Sequence, residues 1–356
     1  MRTAWLALLA LVATADAAPG PTVAPTAPTA PPVPPVPPAS DPRPHEVASA
    51  GSGFVGSAAS AEPAPPPPAL DPKNLLSLTA DPILGKATRI SGEEMTGVVA
   101  FTFDDGPNPQ TSPRVIDALE KYDIPATFFI VTQRIMGRHG ETSRAVLARE
   151  LADGFTVGSH SVSHPNLGKA SGSVLDKEID ASIRTLAIEA NRPIGLFRPP
   201  YGSLSGAART RLKKLNLTEV QWSVDTLDWR ARDEGRLRKK VLSMVVKQNG
   251  GVVLMHDVKP ITAKIIADVL DDLEAENCKR LAAGTDPIIP VSLHYFLRDG
   301  KTPRPIPDAV LARTAAYRAA LPLRCANRPA PSATATPSAT PAAPATPPVA
   351  KTSPAR

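Results

Sequence analysis

Proline decides, more than any other residue, where this 356-residue chain can fold. Of its 42 prolines, seventeen lie in residues 19–68 and eight in residues 329–354, about one residue in three. A proline ring removes the backbone N–H and fixes φ, so neither stretch can supply the donors of a helix or a sheet ladder. Both are expected to be extended or disordered spacers. The 257 residues between positions 69 and 325 hold the other seventeen prolines and must contain the fold. That length suits one large α/β barrel or sheet as well as two small domains.

The ends can be read further. Arg2 precedes an uncharged run, Ala4–Ala15, and Ala15-Asp16-Ala17 is a small-x-small cleavage pattern, so residues 1–17 are expected to be a signal peptide. The run is too short to span a bilayer, and no second candidate follows. Residues 18–70 and 326–356 then read as Pro/Ala-rich linker and tail around a domain at 71–325, in a protein exported to the periplasm or medium. The net charge of +6 suits an anionic polymer but is common in ordinary enzymes. No basic run interleaved with aromatics occurs, which argues against nucleic acid as a partner. Cys278 and Cys325 are the only cysteines, and in an exported chain a structural disulfide between them is expected.

Inside the block, apolar runs alternate with helical patterns. Strand-like runs are Gly97–Phe103, Ala126–Val131, Phe155–Ser159, Gly195–Arg198, Glu219–Val224, Gly251–Met255 and Ile288–Phe296. Between them, Leu175, Ile179, Ile183 and Leu186 recur at helical spacing, as do Ile266, Val269, Leu270 and Leu273. A last helix is expected over Asp308–Leu321. Strands alternating with helices imply a parallel α/β architecture, and the continuous apolar strands imply burial on both faces. Open sheet and closed barrel both satisfy this pattern.

Polar residues collect where the strands end. The first ends in Asp104-Asp105 and the third in His160-Ser-Val-Ser-His164. The fourth runs into Arg198-Pro-Pro-Tyr-Gly202, the fifth into Asp225-Thr-Leu-Asp-Trp229, and the sixth delivers His256-Asp257. In parallel α/β folds that edge is where active sites are built. Two histidines four apart and a carboxylate from a neighbouring strand make a three-ligand metal site with open positions. Adjacent residues on a strand point to opposite sides, so one aspartate can ligate while the other stays free as a base, unless the strand end bends.

With these motifs in order, the block resembles the polysaccharide deacetylases of the NodB-homology type, carbohydrate esterase family 4. The matching segments are Thr102-Phe-Asp-Asp-Gly-Pro107, His160–His164, Arg198–Gly202, Asp225–Trp229 and Leu254-Met-His256. The resemblance implies a distorted (β/α) barrel of about seven parallel strands. It implies one divalent metal ion, zinc or else cobalt or another divalent ion, on Asp105, His160 and His164. Asp104 would be the general base, oriented and kept ionised by Arg198. His256 would be the general acid, its imidazolium held by Asp225. The Tyr201 N–H would serve the oxyanion, and Trp229 and Leu254 would wall the acetyl pocket.

The implied activity is removal of N-acetyl groups from an N-acetylglucosamine polymer, peptidoglycan or chitin-like, by a monomer. An O-acetyl esterase of the acetylxylan type and a dead glycan-binding wall protein are the competing readings. The complete set of base, ligands and acid argues against the dead homologue. Three neighbours are read as structural: Asp228 as a helix cap after the fifth strand, Asp257 as a cap of the following helix, and His294 as a satisfied core or surface histidine.

Overall fold

The apolar run that ends in the paired aspartates becomes the central strand. In a computed structural model that describes residues 70–328, the strands of the main sheet in chain order are Arg89–Ile90 (β1), Val98–Asp104 (β2), Ala126–Ile130 (β3), Thr156–Ser159 (β4), Leu196–Phe197 (β5), Thr218–Val220 (β6), Val224–Asp225 (β7), Gly250–His256 (β8) and Ile289–Pro290 (β9). Every pairing among them is parallel, and β2 is buried at all seven positions. A strand buried on both faces lies between a covered interior and an outer layer of helices.

The expected fifth strand is two strands. β6 pairs with β1 and β5, the chain kinks through Gln221, Trp222 and Ser223, and β7 pairs with β8. That kink carries one segment from one edge of the sheet to the other. The sheet therefore curls into a distorted (β/α) barrel, with β2 between β3 and β8. The register sets Asp104 of β2 beside His256 of β8 and Ser159 of β4 beside Phe197 of β5, so the polar strand ends share one rim.

Helices Ser112–Lys121 (α1) and Glu141–Ala152 (α2) follow β2 and β3. The next helical stretch is Ser173–Leu175 (α3), a π turn at Asp176–Asp180, and Ala181–Ala190 (α4), which ends on left-handed Asn191. The expected stripe of Leu175, Ile179, Ile183 and Leu186 is buried along it. Gly206–Lys214 (α5) starts on Ser205, whose hydroxyl accepts from the Ala208 N–H, and Glu234–Gln248 (α6) starts on Asp233, which accepts from the Arg236 N–H. Pro260–Ala282 (α7) opens on proline, where no N–H is needed. Gly250 starts β8 at φ +118°, and a Cβ there would lie 1.9 Å from the Val98 carbonyl oxygen, so only glycine lets β8 begin against β2.

The expected strand Ile288–Phe296 stops at Pro290. Leu293–Phe296 is instead a 3₁₀ turn that buries Leu293 and Phe296. The last helix, Asp308–Ala326 (α8), is longer than expected and passes through Pro322. The Cys278–Cys325 disulfide joins α7 to α8 across a Cα separation of 5.4 Å. On the chain-entropy account a closure of this length stabilises by roughly 4 kcal/mol. Arg328 still pairs with Asp271, so ordered packing runs past the expected boundary at residue 325. The expected signal peptide and most of both spacers lie outside the described residues. Among the described residues no helix is long and apolar enough to cross a membrane.

Candidate active site and metal centre

Strand β2 does not end straight. Asp105 takes a left-handed φ of +73°, and the bend lets both aspartates reach one imidazole. His160 Nε2 lies 3.6 Å from Asp104 Oδ2 and 3.7 Å from Asp105 Oδ1, and His164 Nε2 lies 3.2 Å from the same Asp105 oxygen.

The His160–His164 loop is held on both flanks. Ser161 and His164 are left-handed, and the Ser161 hydroxyl accepts from the His164 N–H. Glu178, from the π turn, accepts from the Val162 and Ser163 N–H groups and from the Ser163 hydroxyl. His160 Nδ1 sits 2.7 Å from the Arg198 carbonyl oxygen, which orients Nε2 toward the aspartates. Burial pushes His160 down to about 3, so its imidazole is neutral, the form in which it ligates.

Asp105, His160 and His164 thus bring three candidate ligand atoms within 4.8 Å of one another. Asp105 Oδ1 is buried with no hydrogen-bond donor. A buried carboxylate oxygen facing two imidazole nitrogens without a donor fits a divalent cation, and two imidazoles with one carboxylate suit zinc or a similar ion.

Asp104 is buried beneath this cluster with Arg198, whose side chain is wholly enclosed. Arg198 donates to Asp104 Oδ1 at 2.8 Å, to the Thr102 hydroxyl at 2.6 Å and to the Gln221 carbonyl at 3.2 Å. Its guanidinium lies over the Phe129 ring at 4.2 Å. Burial pushes the Asp104 carboxyl above its ordinary value, and the Arg198 charge opposes that without cancelling it. Arg198 is expected to orient Asp104 and keep it ionised; its charge does favour the carboxylate, but burial outweighs it.

The partner of His256 corrects the sequence reading. Asp228, not Asp225, lies 2.7 Å from His256 Nδ1. Asp228 Oδ2 also accepts from the His256 N–H and the Thr262 hydroxyl. The reason is local backbone. Leu227 is left-handed at φ +56°, which turns Asp228 inward to full burial, while Asp225 accepts from the Leu227 N–H and stays at the cavity wall. Burial lowers the His256 pKa, but the Asp228 hydrogen bond and charge, with Asp104 and Asp105, outweigh it and raise the group to about 9.

Asp257 does not cap α7, which starts on Lys259 without a side-chain cap. It turns to the helix side, where its Oδ2 accepts from the Ser112 hydroxyl at the start of α1 and its carboxylate packs against Gly106.

Asp104, Asp105, His160, His164, Tyr201, Asp225, Trp229, Leu254 and His256 line one cavity of about 370 Å³. Tyr201 is left-handed and exposed, its ring 4.7 Å from that of His164. Trp229 is half exposed at the rim under Arg230, and Leu254 is buried in the wall. Sequence reasoning missed Trp222, which lines the same cavity 5.7 Å from Arg198. An aromatic in a strand kink carries no signal before the kink is known. His294, hydrogen-bonded to Ser292, lies away from this cavity.

This geometry matches a known group of proteins. The polysaccharide deacetylase family profile covers residues 91–220. A chitooligosaccharide deacetylase of Azorhizobium caulinodans is 31% identical over 188 residues, 52% of this chain and 85% of that protein. The chain belongs to the polysaccharide deacetylase family. A peptidoglycan-N-acetylglucosamine deacetylase of Listeria monocytogenes is 34% identical over 178 residues, but this chain spans only 36% of its length. Among solved structures, a peptidoglycan N-acetylglucosamine deacetylase superposes with a TM-score of 0.50 at 26% identity, over 61% of this chain and 95% of that one. The family's (β/α)-barrel fold is thus the fold of this chain.

Proposed function

We propose that this polysaccharide deacetylase family member is a metal-dependent hydrolase that removes N-acetyl groups from an N-acetylglucosamine-containing glycan of the cell-wall or chitin type. The observation that carries the reading is one cavity joining the Asp105, His160 and His164 cluster to a buried carboxylate and to a histidine held protonated near neutral pH. The relatives named for peptidoglycan and chitooligosaccharides support the substrate class.

A divalent ion on Asp105, His160 and His164 would supply Lewis acidity toward the acetyl carbonyl. Asp104, made more basic by burial, takes a proton from the attacking water. Arg198 fixes the carboxylate's direction through the bond to Oδ1. The Tyr201 N–H serves the oxygen on which charge develops. His256, held by Asp228 through Nδ1, gives a proton to the departing amine. Water and amide become acetic acid and a free amine, with one proton moved to Asp104 and one supplied by His256, and the acid then ionises to acetate. Leu254, Trp229 and Asp225 wall the acyl pocket. Acetate release from peptidoglycan, chitooligosaccharides and acetylated xylan, measured in parallel after chelation and zinc readdition, tests the proposal. Release from xylan alone would move the assignment to an ester substrate, and no release from any would end it.

A further inference from the structure

The catalytic cavity is not the only hollow at the Asp105–His164 edge. A second, of about 480 Å³, shares Asp105 and His164 with it and is otherwise lined by Val131, Gln133, Arg134 and Ser163. The two hollows therefore meet at the candidate metal ligands, as adjacent subsites for neighbouring sugars would.

Arg134 is the cation of this second hollow. It is exposed, and its side chain forms no ion pair or hydrogen bond with any described residue. The segment presenting it is held firmly. Thr132 and Gln133 donate backbone N–H groups to the Ser161 and Val162 carbonyls at 3.1 and 3.0 Å. Arg144 donates to the Ile135 and Gly137 carbonyls, both at 2.8 Å. No acidic residue occurs between positions 124 and 140.

Three carboxylates adjoin the lining residues, and none forms an ion pair with Arg134, although the Arg134 charge reaches buried Asp257. Asp105 is a candidate metal ligand, Glu178 accepts from three donors on the His160–His164 loop, and Asp257 is buried against Gly106 with Oδ2 bonded to Ser112 and Oδ1 without a donor. With a divalent ion on Asp105, the hollow carries net positive charge and one unpaired guanidinium. A planar fork of donors of that kind is matched by a carboxylate.

We propose that this hollow is a subsite for a carboxylate-bearing sugar next to the N-acetylated one, with Arg134 as the residue that selects it. The carboxylate would come from a lactyl ether, as in a muramic acid unit, or from a uronate. The proposal rests on the deacetylase reading, since it places the carboxylate one sugar from the amide that is cleaved.

Binding and turnover separate the two readings. Calorimetry on the zinc-loaded Asp104→Asn protein would use three probes: an N-acetylglucosamine–N-acetylmuramic acid tetrasaccharide, its lactyl methyl ester, and a neutral chitotetraose. A uronate-containing N-acetylglucosamine oligomer distinguishes the two carboxylate sources. The free acid should bind about tenfold to a hundredfold more tightly than its ester, the range for a hydrogen bond to a charged group. Adding Arg134→Gln should remove that preference, leave the neutral and esterified probes within about twofold, and leave zinc content unchanged. Arg134→Lys should recover part of it. Equal binding of acid and ester, or an equal loss on all probes with Arg134→Gln, overturns the subsite. In the unsubstituted enzyme, acetate release from these probes tests the deacetylase reading separately, because the binding preference can be read without turnover.

Discussion

The two sides of the β2 terminus bury carboxyl groups equally deeply and treat them oppositely. On the barrel side Asp104 lies against Arg198, and Asp228 accepts three hydrogen bonds around His256. On the helix side Glu150 of α2 is fully buried with neither carboxyl oxygen hydrogen-bonded, and Asp257 Oδ1 has no donor. Burial and the nearby Asp257 push Glu150 well above the ordinary carboxylate range, and burial raises Asp257 to about 7. Depth alone therefore does not make a working group. A cation or hydrogen-bond donors facing a buried carboxyl offset part of the cost of its charge, and a carboxyl without them lowers that cost by holding its proton.

The widest separation between the two sides is expected in turnover. Asp104→Asn removes the proposed base and no candidate ligand, so acetate release should fall about 10²–10⁴-fold with one zinc still bound per chain. Asp105→Ala, His160→Ala and His164→Ala should lose zinc and activity together. Metal analysis beside acetate assays checks this, and zinc lost from Asp104→Asn but kept by Asp105→Ala would reverse the two roles.

Stability gives the next contrast. Arg198→Met leaves Asp104 buried without its cation, and breaking a buried pair from one side costs about 3–5 kcal/mol. Urea denaturation should register that loss. The double variant Arg198→Met with Asp104→Leu should recover much of it, because no charge then remains to be buried. A double variant as unstable as the single would mean that the lost contact with Phe129 and Thr102, rather than the orphaned carboxylate, is responsible.

Much of this arrangement is legible in the chain. The motifs at the strand ends carry the three candidate ligands and the residues proposed as base and acid, because their side chains and spacing are chemically distinctive. What the sequence hides is backbone handedness. Asp225 and Asp228 are equivalent on paper, three residues apart beside the same tryptophan. Only the left-handed Leu227, a conformation leucine seldom takes, sends Asp228 to His256. Short elements are hidden for a related reason. Arg89–Ile90 is a strand because β6 pairs with it, and two residues carry no periodicity of their own.

That correction is itself testable. Asp228→Asn removes the charge that raises His256, so the alkaline limb of the pH–rate profile should move down from about 9 toward the ordinary histidine range. Turnover at neutral pH should drop about tenfold to a hundredfold, the value of a hydrogen bond to a charged group. Asp225→Asn should leave the limb in place. A limb that moves for Asp225→Asn and not for Asp228→Asn would return the role to Asp225. The stability contribution follows from the same shift: His256 contributes most below its unfolded value near 6.5, and the contribution is lost as pH rises through about 9.

The smallest expected effect tests the helix side. A carboxyl whose folded pKa is raised binds more protons folded than unfolded, so stability falls as pH rises between the two values. For Asp257 that window runs from about 4 to about 7, and Glu150 acts in the same direction. Glu150→Gln keeps the shape and removes the proton equilibrium. The melting temperature at pH 5 should hardly move, because the protonated carboxyl of Glu150 and the amide that replaces it are both neutral there. Between pH 6 and 8 the variant should lose less stability than the parent, by roughly 1 kcal/mol or more if the buried group must ionise. Turnover should be unchanged, since Glu150 does not line the catalytic cavity. Thermal melts from pH 5 to 8 decide it. Parallel curves for parent and variant would mean that Glu150 is matched by a partner or reached by water, and the contrast between the two sides of β2 would then rest on Asp257 alone.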